Sequence, residues 1–319
     1  MHKYLARRLL VLLPTVIGLS IIIFLLMRVM PGDVARMILV GPEGEGTYDE
    51  AAYQALQNEL GLNRPIYVQY LDWSWRLLNL DAGRSLRYNR PVAQEIVSRF
   101  PVTLELALLT TLISLTVGIP LGVLSAIRQN RLSDYAARII SIAGLTAPPF
   151  WIATLVVLGL VLFTGWMPPV IFSRLTDDPG ANLSQMIWPA LVLGYNHAAL
   201  LSRMTRSCTL EVLRQEYIRT ARAKGLVERV VISRHTLRNA LIPVITVFGF
   251  QFGHMLGGSV IQETIFGIPG LGKGLVDAVF YRDYPTVQGF IVTFGVALIV
   301  VNLITDLVYG WLDPRVQLR

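Results

Sequence analysis

The sequence predicts an all-α polytopic membrane protein with six transmembrane helices and both termini cytoplasmic, and three observations predict it. First, 53% of residues are apolar, only 15% are charged and the mean hydropathy is +0.53, against about 25% charged in a soluble domain. A length of 319 residues otherwise suggests two soluble domains, but such a globule would lack an adequate polar surface. Second, six runs of 18 or more residues carry no Asp, Glu, Lys or Arg, and a hydrocarbon core about 30 Å thick needs about 20 helical residues. Third, basic residues alternate between connections. With the N-terminus inside, inside segments hold 17 Lys and Arg in 69 positions and outside segments hold 11 in 104, as the retention of basic loops requires.

The first run covers residues 9–27 behind the basic stretch His2 to Arg8. Arg28-Val-Met-Pro-Gly-Asp33 offers no small-x-small cleavage pattern, so residues 1–30 read as an uncleaved span and not as a signal peptide. Residues 31–101 form an extracytoplasmic segment long enough for a small cap of helices. Tyr70, Trp73 and Trp75 fit the aromatic belt at the membrane interface better than contact with a soluble partner. Residues 102–319 hold the other five runs, at 106–127, 139–173, 179–202, 239–262 and 284–305. The third is too long for one crossing; its helix is expected from Ile139 to Phe163, with Gly165, Pro168 and Pro169 in an exit loop.

The spans lack mid-membrane carboxylates, lysines and arginines, which argues against an ion-coupling relay, a pump or a voltage sensor. Their ionisable groups are His197 and His254, and a lone His in a span ordinarily serves as an interhelical hydrogen-bonding contact. No Ser and His dyad or H-E-x-x-H motif is present, so no catalytic residue is assigned. The single cysteine, Cys208, excludes a disulfide framework and a thiolate metal cluster, and no metal ligand set is assigned. The net charge of +7 belongs to topology, with no nucleic-acid partner implied. Gly267-Ile-Pro-Gly-Leu-Gly272-Lys273-Gly274 approaches the phosphate-loop pattern, but Gly274 has no hydroxyl for magnesium; the segment reads as a tight turn between the fifth and sixth spans. Gly118 with Gly122, and Gly249 with Gly253 and Gly257, permit close helix approach within the chain or at a subunit interface. Pro120, Pro148, Pro149 and Pro189 mark kinks or helix starts. Asn196, His197, Gln251 and His254 are the polar candidates for a translocation path.

Residues 203–238 carry nine bases and three acids, too long a loop for a plain connector. Glu211 to Lys224 lacks Gly and Pro and reads as helix, Gly225 permits a left-handed turn, and Leu226 to Arg238 resumes helical spacing. This is a helical hairpin. It can dock a cytosolic partner, anchor topology, lie on the membrane surface or bind lipid as a basic patch.

Glu216-Tyr-Ile-Arg-Thr-Ala-Arg-Ala-Lys-Gly225 and His235-Thr-Leu-Arg-Asn-Ala-Leu-Ile-Pro243 closely resemble the coupling loop of binding-protein-dependent ABC importer permeases, in the dipeptide, oligopeptide and nickel branch. The resemblance runs through Pro31-Gly32-Asp33, Pro101-Val-Thr-Leu-Glu105, Glu263-Thr-Ile-Phe, Asp283-Tyr-Pro-Thr-Val-Gln-Gly289 and Asp313-Pro-Arg315. The general importer motif has Glu six before the glycine and Pro thirteen after it; here Arg219 and Arg238 hold those places, and the nearest equivalents are Glu216 and Pro243. The resemblance implies a permease subunit in the bacterial cytoplasmic membrane, paired with a homologous second permease, two cytosolic ATPases and an extracytoplasmic substrate-binding protein. It implies no cofactor in this chain, with ATP and Mg²⁺ bound by the ATPases. It places ATPase coupling on Glu216, Arg219, Thr220, Ala221, Arg222, Ala223, Lys224 and Gly225, and peptide as the cargo ahead of nickel chelate or glutathione. A secondary transporter or a membrane scaffold is the competing class.

Overall fold

The computed structural model describes residues 2–29, 35, 36, 39, 49–59 and 61–312. Pro31-Gly32-Asp33 and Asp313-Pro-Arg315 lie outside the described residues, as does the side chain of His254. The described residues form helices with no strand beyond an isolated bridge between Arg84 and Pro91. In chain order these are α1 (His2–Val29), α2 (Glu50–Glu59), α3 (Ile66–Leu78), α4 (Val92–Ile127), α5 (Leu132–Thr146) and α6 (Pro149–Thr164). After them come α7 (Pro179–Leu213), α8 (Glu216–Ala223), α9 (Glu228–Val230), α10 (Leu237–Ile265), α11 (Leu271–Phe280) and α12 (Tyr284–Leu312). A π-helical turn, Val231–Thr236, joins α9 to α10.

Each of the six charge-free runs falls on helix, with one correction. The single helix expected from Ile139 to Phe163 is two, α5 and α6, bent by 102°. Pro148 and Pro149 cause the break. A residue before proline is driven to extended backbone, and Ala147 (ψ 126°) and Pro148 (ψ 132°) both adopt it. Pro149 then opens α6, where its missing N–H leaves no gap. Gly165 closes α6 at φ +69°, where the exit loop was expected. By length and hydropathy α4 and Tyr284–Leu307 each qualify singly as a span, while α5 with α6, and the α9–α10 stretch, qualify as broken pairs.

The chain divides into two compact units. One comprises Val102–Pro269 with Val300–Arg319. Here α5 and α10 pack along α7, and Leu106, Met186, Leu193 and Phe266 form a buried core. Glycines set the closest approaches. A Cβ on Gly118 would meet the Ala198 carbonyl at 2.9 Å, and one on Gly122 the Ser202 carbonyl at 2.5 Å. Gly144 faces Ala199 and the Tyr195 ring, and Gly249 sits against Thr305 of α12. Gly118, Gly122 and Gly249 therefore serve packing within the chain, whereas Gly257 has nothing within 4 Å. Phe266 to Ile268 close α10 by returning the Ile268 N–H to the Glu263 carbonyl at 2.8 Å, with Gly267 at φ +70°. The Glu263 side chain is buried and accepts from the Thr103 hydroxyl at 2.7 Å.

The other unit comprises His2–Pro101 and Gly270–Ile299. Residues 271–274, expected as part of a turn, instead form the first turn of α11 behind an extended Gly270, and a Cβ on Gly274 would meet Phe290 Cε2 at 2.7 Å. The approximate phosphate-loop spacing thus reflects helix packing. Asp283, 1% exposed, accepts from the Ser85 and Thr286 hydroxyls and the Leu86 N–H, pinning the 81–91 loop to the α11–α12 turn. Within the predicted cap, Tyr70 and Trp73 pack on Phe24 of α1, and the Tyr70 hydroxyl meets that of Ser20 at 2.8 Å. Trp75 remains 69% exposed.

The glycine contacts yield a test. Gly122→Val forces a branched side chain into the α7 backbone and should cost about 1–3 kcal/mol as overpacking. Gly159→Val, at a helical site with nothing within 4 Å, should leave the melting temperature of the purified protein within a few degrees of wild type.

Candidate functional site: the α7–α10 hairpin

The hairpin expected at 203–238 is built in three steps. α7 runs past its apolar stretch to Leu213, then Arg214 and Gln215 break the helix, where one helix from Glu211 to Lys224 was expected. Gln215 is extended (ψ 145°). α8 follows, with Ile218 and Ala221 buried against Val231 and with Val212 and Leu213 packed beside them. That small cluster holds α8 against the root of the hairpin. The Tyr217 hydroxyl also accepts from Asn239 Nδ2 at 2.9 Å, tying α8 to α10.

The end of α8 explains Gly225. Its N–H bonds the Arg222 carbonyl at 2.9 Å, and the Leu226 N–H bonds the Ala221 carbonyl at 3.4 Å. These are the paired bonds of a Schellman cap, which puts the residue after the cap in the left-handed region. Gly225 has φ +76° and nothing within 4 Å of an added Cβ, so conformation and not space selects glycine here.

The predicted coupling residues divide by exposure. Ala221 is buried, whereas Glu216, Arg219, Thr220, Arg222, Ala223, Lys224 and Gly225 are exposed. Glu216 and Arg219 pair along α8 at 2.7 Å, 81% and 71% exposed, and Thr220 donates to the Glu216 carbonyl. Arg222 forks onto Glu228 across the Gly225 turn at 2.6 and 3.1 Å. Those hydrogen bonds hold the Glu228 carboxyl below its usual value of 4.5. The pair therefore stabilises the turn above pH 4.5, and that contribution fades as the pH falls through the lower folded value.

Asp134 is a functional residue that none of the sequence motifs marks. Its carboxylate is 0% exposed and accepts from Ser125 Oγ (2.6 Å), the Asn130 N–H (2.9 Å) and Arg206 Nε and Nη2 (both 2.9 Å). One side chain so fixes the end of α4, the connecting loop, the start of α5 and α7 above the hairpin. Its signal was present: an acid in the first turn of a helix, favoured by the helix dipole, amid an otherwise basic connection.

The proposed path residues lie on two helices. Asn196 on α7 donates to the Gly144 carbonyl at 2.8 Å, and Tyr195 to the Ile140 carbonyl at 2.8 Å, so both serve the α5–α7 seam. His197 is half-buried. Gln251 on α10 is 7% exposed, and its Oε1 has no hydrogen-bond partner among the described residues.

Comparison with known proteins identifies the family. Residues 118–318 match the family model for the inner membrane component of binding-protein-dependent transport systems, and residues 1–107 match the model for its N-terminal part. The di/tripeptide transport system permease protein DppB of Pseudomonas aeruginosa is 40% identical, covering 99% of both chains. The oligopeptide transport system permease protein AppB of Bacillus subtilis is 40% identical over 99% of this chain and 100% of its own. The dipeptide transport system permease protein DppB of Escherichia coli is 38% identical over 99% of each. Among solved structures, an amino acid ABC transporter crystallised with histidines overlays 68% of this chain and 94% of its own, with TM-score 0.53 and 18% identity. The inward-facing MetNI methionine ABC transporter overlays 68% and 96%, with TM-score 0.55 and 15% identity; at these identities the likeness is one of fold. The chain belongs to the family of inner membrane components of binding-protein-dependent transport systems. It is a multi-pass protein of the bacterial inner membrane.

The two ion pairs should separate sharply. Asp134→Asn leaves Arg206, 22% exposed, without its counter-charge and should cost about 3 kcal/mol, the lower range for breaking a buried pair. Glu228→Gln removes an exposed pair and should speed amide exchange around Leu226 by at most about fivefold. Thermal unfolding and hydrogen exchange in nanodiscs read the two effects.

Proposed function

We propose that this chain is the transmembrane permease subunit of an ATP-driven importer that moves small peptides across the cytoplasmic membrane, coupled to partner ATPases through the 203–238 hairpin. The observation that carries the reading is 38–40% identity, across nearly the whole chain, with di/tripeptide, oligopeptide and dipeptide permeases. In this reading six helical segments cross the bilayer and both termini are cytoplasmic, supported by the alternation of basic connections. A homologous second permease completes the path, two cytosolic ATPases carry ATP and Mg²⁺, and an extracytoplasmic binding protein delivers cargo. This chain itself catalyses nothing.

Coupling follows from how α8 is held. Its exposed face offers Glu216, Arg219, Thr220, Ala223 and Lys224 to an ATPase surface, and its buried face rests on Val231, Val212 and Leu213. Displacement of α8 is passed to α7 through that cluster and to α10 through the Tyr217–Asn239 bond. Those helices carry the path candidates Asn196, His197, Gln251 and His254, of which Gln251 brings an open buried acceptor. Alternating access is then a switch of packed helices between two arrangements, driven by differential binding of the ATPases to each.

Gly225 tests it. A side chain at left-handed φ costs about 1–2 kcal/mol, and Asn tolerates that region far better than a β-branched residue. In nanodiscs, Gly225→Asn should retain most peptide-stimulated ATP hydrolysis, whereas Gly225→Val should lose most of it together with ATPase copurification. Wild-type behaviour from Gly225→Val would contradict coupling through this turn. Intact coupling with no response to any peptide would contradict the cargo alone.

A further inference from the structure

A cleft of about 340 Å³ lies between α5 and α7. Three arginines line it, Arg138, Arg203 and Arg206. Arg206 turns Nε and Nη2 to Asp134, so its charge is compensated. Arg138 and Arg203 form no ion pair or hydrogen bond among the described residues; Arg138 has only the Tyr135 ring, 5.8 Å from its guanidinium. The cleft therefore carries two uncompensated positive charges.

Its walls add donors. Ser141 is 5% exposed and Ser202 is 2% exposed, yet neither hydroxyl has a hydrogen-bond partner among the described residues. Helical spacing aims these groups together: 138, 141 and 142 share one face of α5, and 202, 203 and 206 share one face of α7. This is a site for an anion with several acceptor oxygens.

Position narrows the anion. Arg138 immediately precedes the apolar run 139–173, and Arg203 immediately follows the run 179–202, so both stand where hydrocarbon gives way to headgroups. Ile142 lines the cleft and is 54% exposed, and Ile139 beside it is 67% exposed. Polar donors and bare aliphatic surface side by side on α5 match an amphiphile. A free anion would use only the first.

We propose that this cleft binds the phosphate group of an anionic phospholipid. Arg138 and Arg203 face the phosphate oxygens, Ser141 and Ser202 donate hydroxyl hydrogens to them, and the acyl chains run along Ile139 and Ile142. The bound lipid braces α5 against α7 directly above the hairpin. This inference rests on the membrane reading of the two apolar runs and is independent of the cargo.

The test counts lipid on the intact transporter complex. Native mass spectrometry in mild detergent titrates phosphatidylglycerol against phosphatidylcholine, and a parallel thermal-shift arm uses inorganic phosphate alone. Arg138→Gln/Arg203→Gln should retain one phosphatidylglycerol fewer per chain, with binding about twenty-five-fold weaker, each interfacial arginine contributing roughly fivefold. Ser141→Ala/Ser202→Ala, which keeps both charges, should show a smaller loss in the same direction. The charge-matched control Arg229→Gln/Arg234→Gln should bind as wild type. Unchanged retention in both cleft variants overturns the proposal, as does an equal loss in the control. Full stabilisation by inorganic phosphate overturns the lipid assignment. Loss of a copurifying membrane subunit with an unchanged lipid count overturns it in favour of a protein interface.

Discussion

The buried carboxylate of Asp134 is the interaction on which the hairpin end of the helical core depends. A charge taken out of water is tolerated only when paired and fully hydrogen-bonded. Asp134 meets that demand with four donors drawn from α4, the following loop and α7. Because the donors come from separate segments, satisfying one side chain fixes the mutual placement of all three. Glycine then sets how close they come: Gly122 lies almost in contact with the Ser202 carbonyl, one turn before Arg206. Charge pairing and close backbone approach thus act at neighbouring levels of the same seam.

The hairpin inherits its position from that seam. α7 carries Arg206 and continues to Leu213, so whatever fixes Arg206 fixes the root of α8. Beyond Leu213 the holding forces become local and small: three buried side chains, one tyrosine–asparagine bond and a Schellman cap. A push on an element so held reaches α7 at Val212 and Leu213, and the Asp134 network keeps α7 together with α4 and α5 as it moves. That division between a rigid root and a lightly held, charged tip suits a part that receives force from another protein. The lipid cleft belongs to the rigid side of the division, since its arginines flank the network and leave α8 untouched.

Much of this was legible in the sequence, for physical reasons. Charge-free length marks helices because hydrocarbon forces backbone groups to bond within the segment, and each of the six runs holds helix, the run 139–173 in two pieces followed by a loop. Gly225 was readable because a glycine ending a polar helical stretch has few other uses. Pro148 and Pro149 were readable as a kink or a helix start, and Pro149 does start α6; the size of the bend, 102°, was not, since proline can kink a helix or end it. There the Gly144 and Ile140 carbonyls receive side-chain donors from Asn196 and Tyr195. That contact also gives Asn196, a path candidate, a bond within the α5–α7 seam. Asp134 was obscured because counting bases in a connection ignores which acid is buried. The Gly274 region misled as a turn because its glycines fit a helix interface equally well.

The central claim, that α8 is the surface through which ATPase motion reaches the membrane helices, is most directly tested by photo-crosslinking. Cys208 is the only cysteine in the sequence, so a Cys208→Ser background accepts a single benzophenone probe at Ala223→Cys, an exposed site on α8. The account predicts an adduct with the ATPase subunit whose yield changes when ATP is bound, and none from the same probe at Phe280→Cys. An intact, ATP-hydrolysing complex that gives no ATPase adduct from position 223 would contradict it.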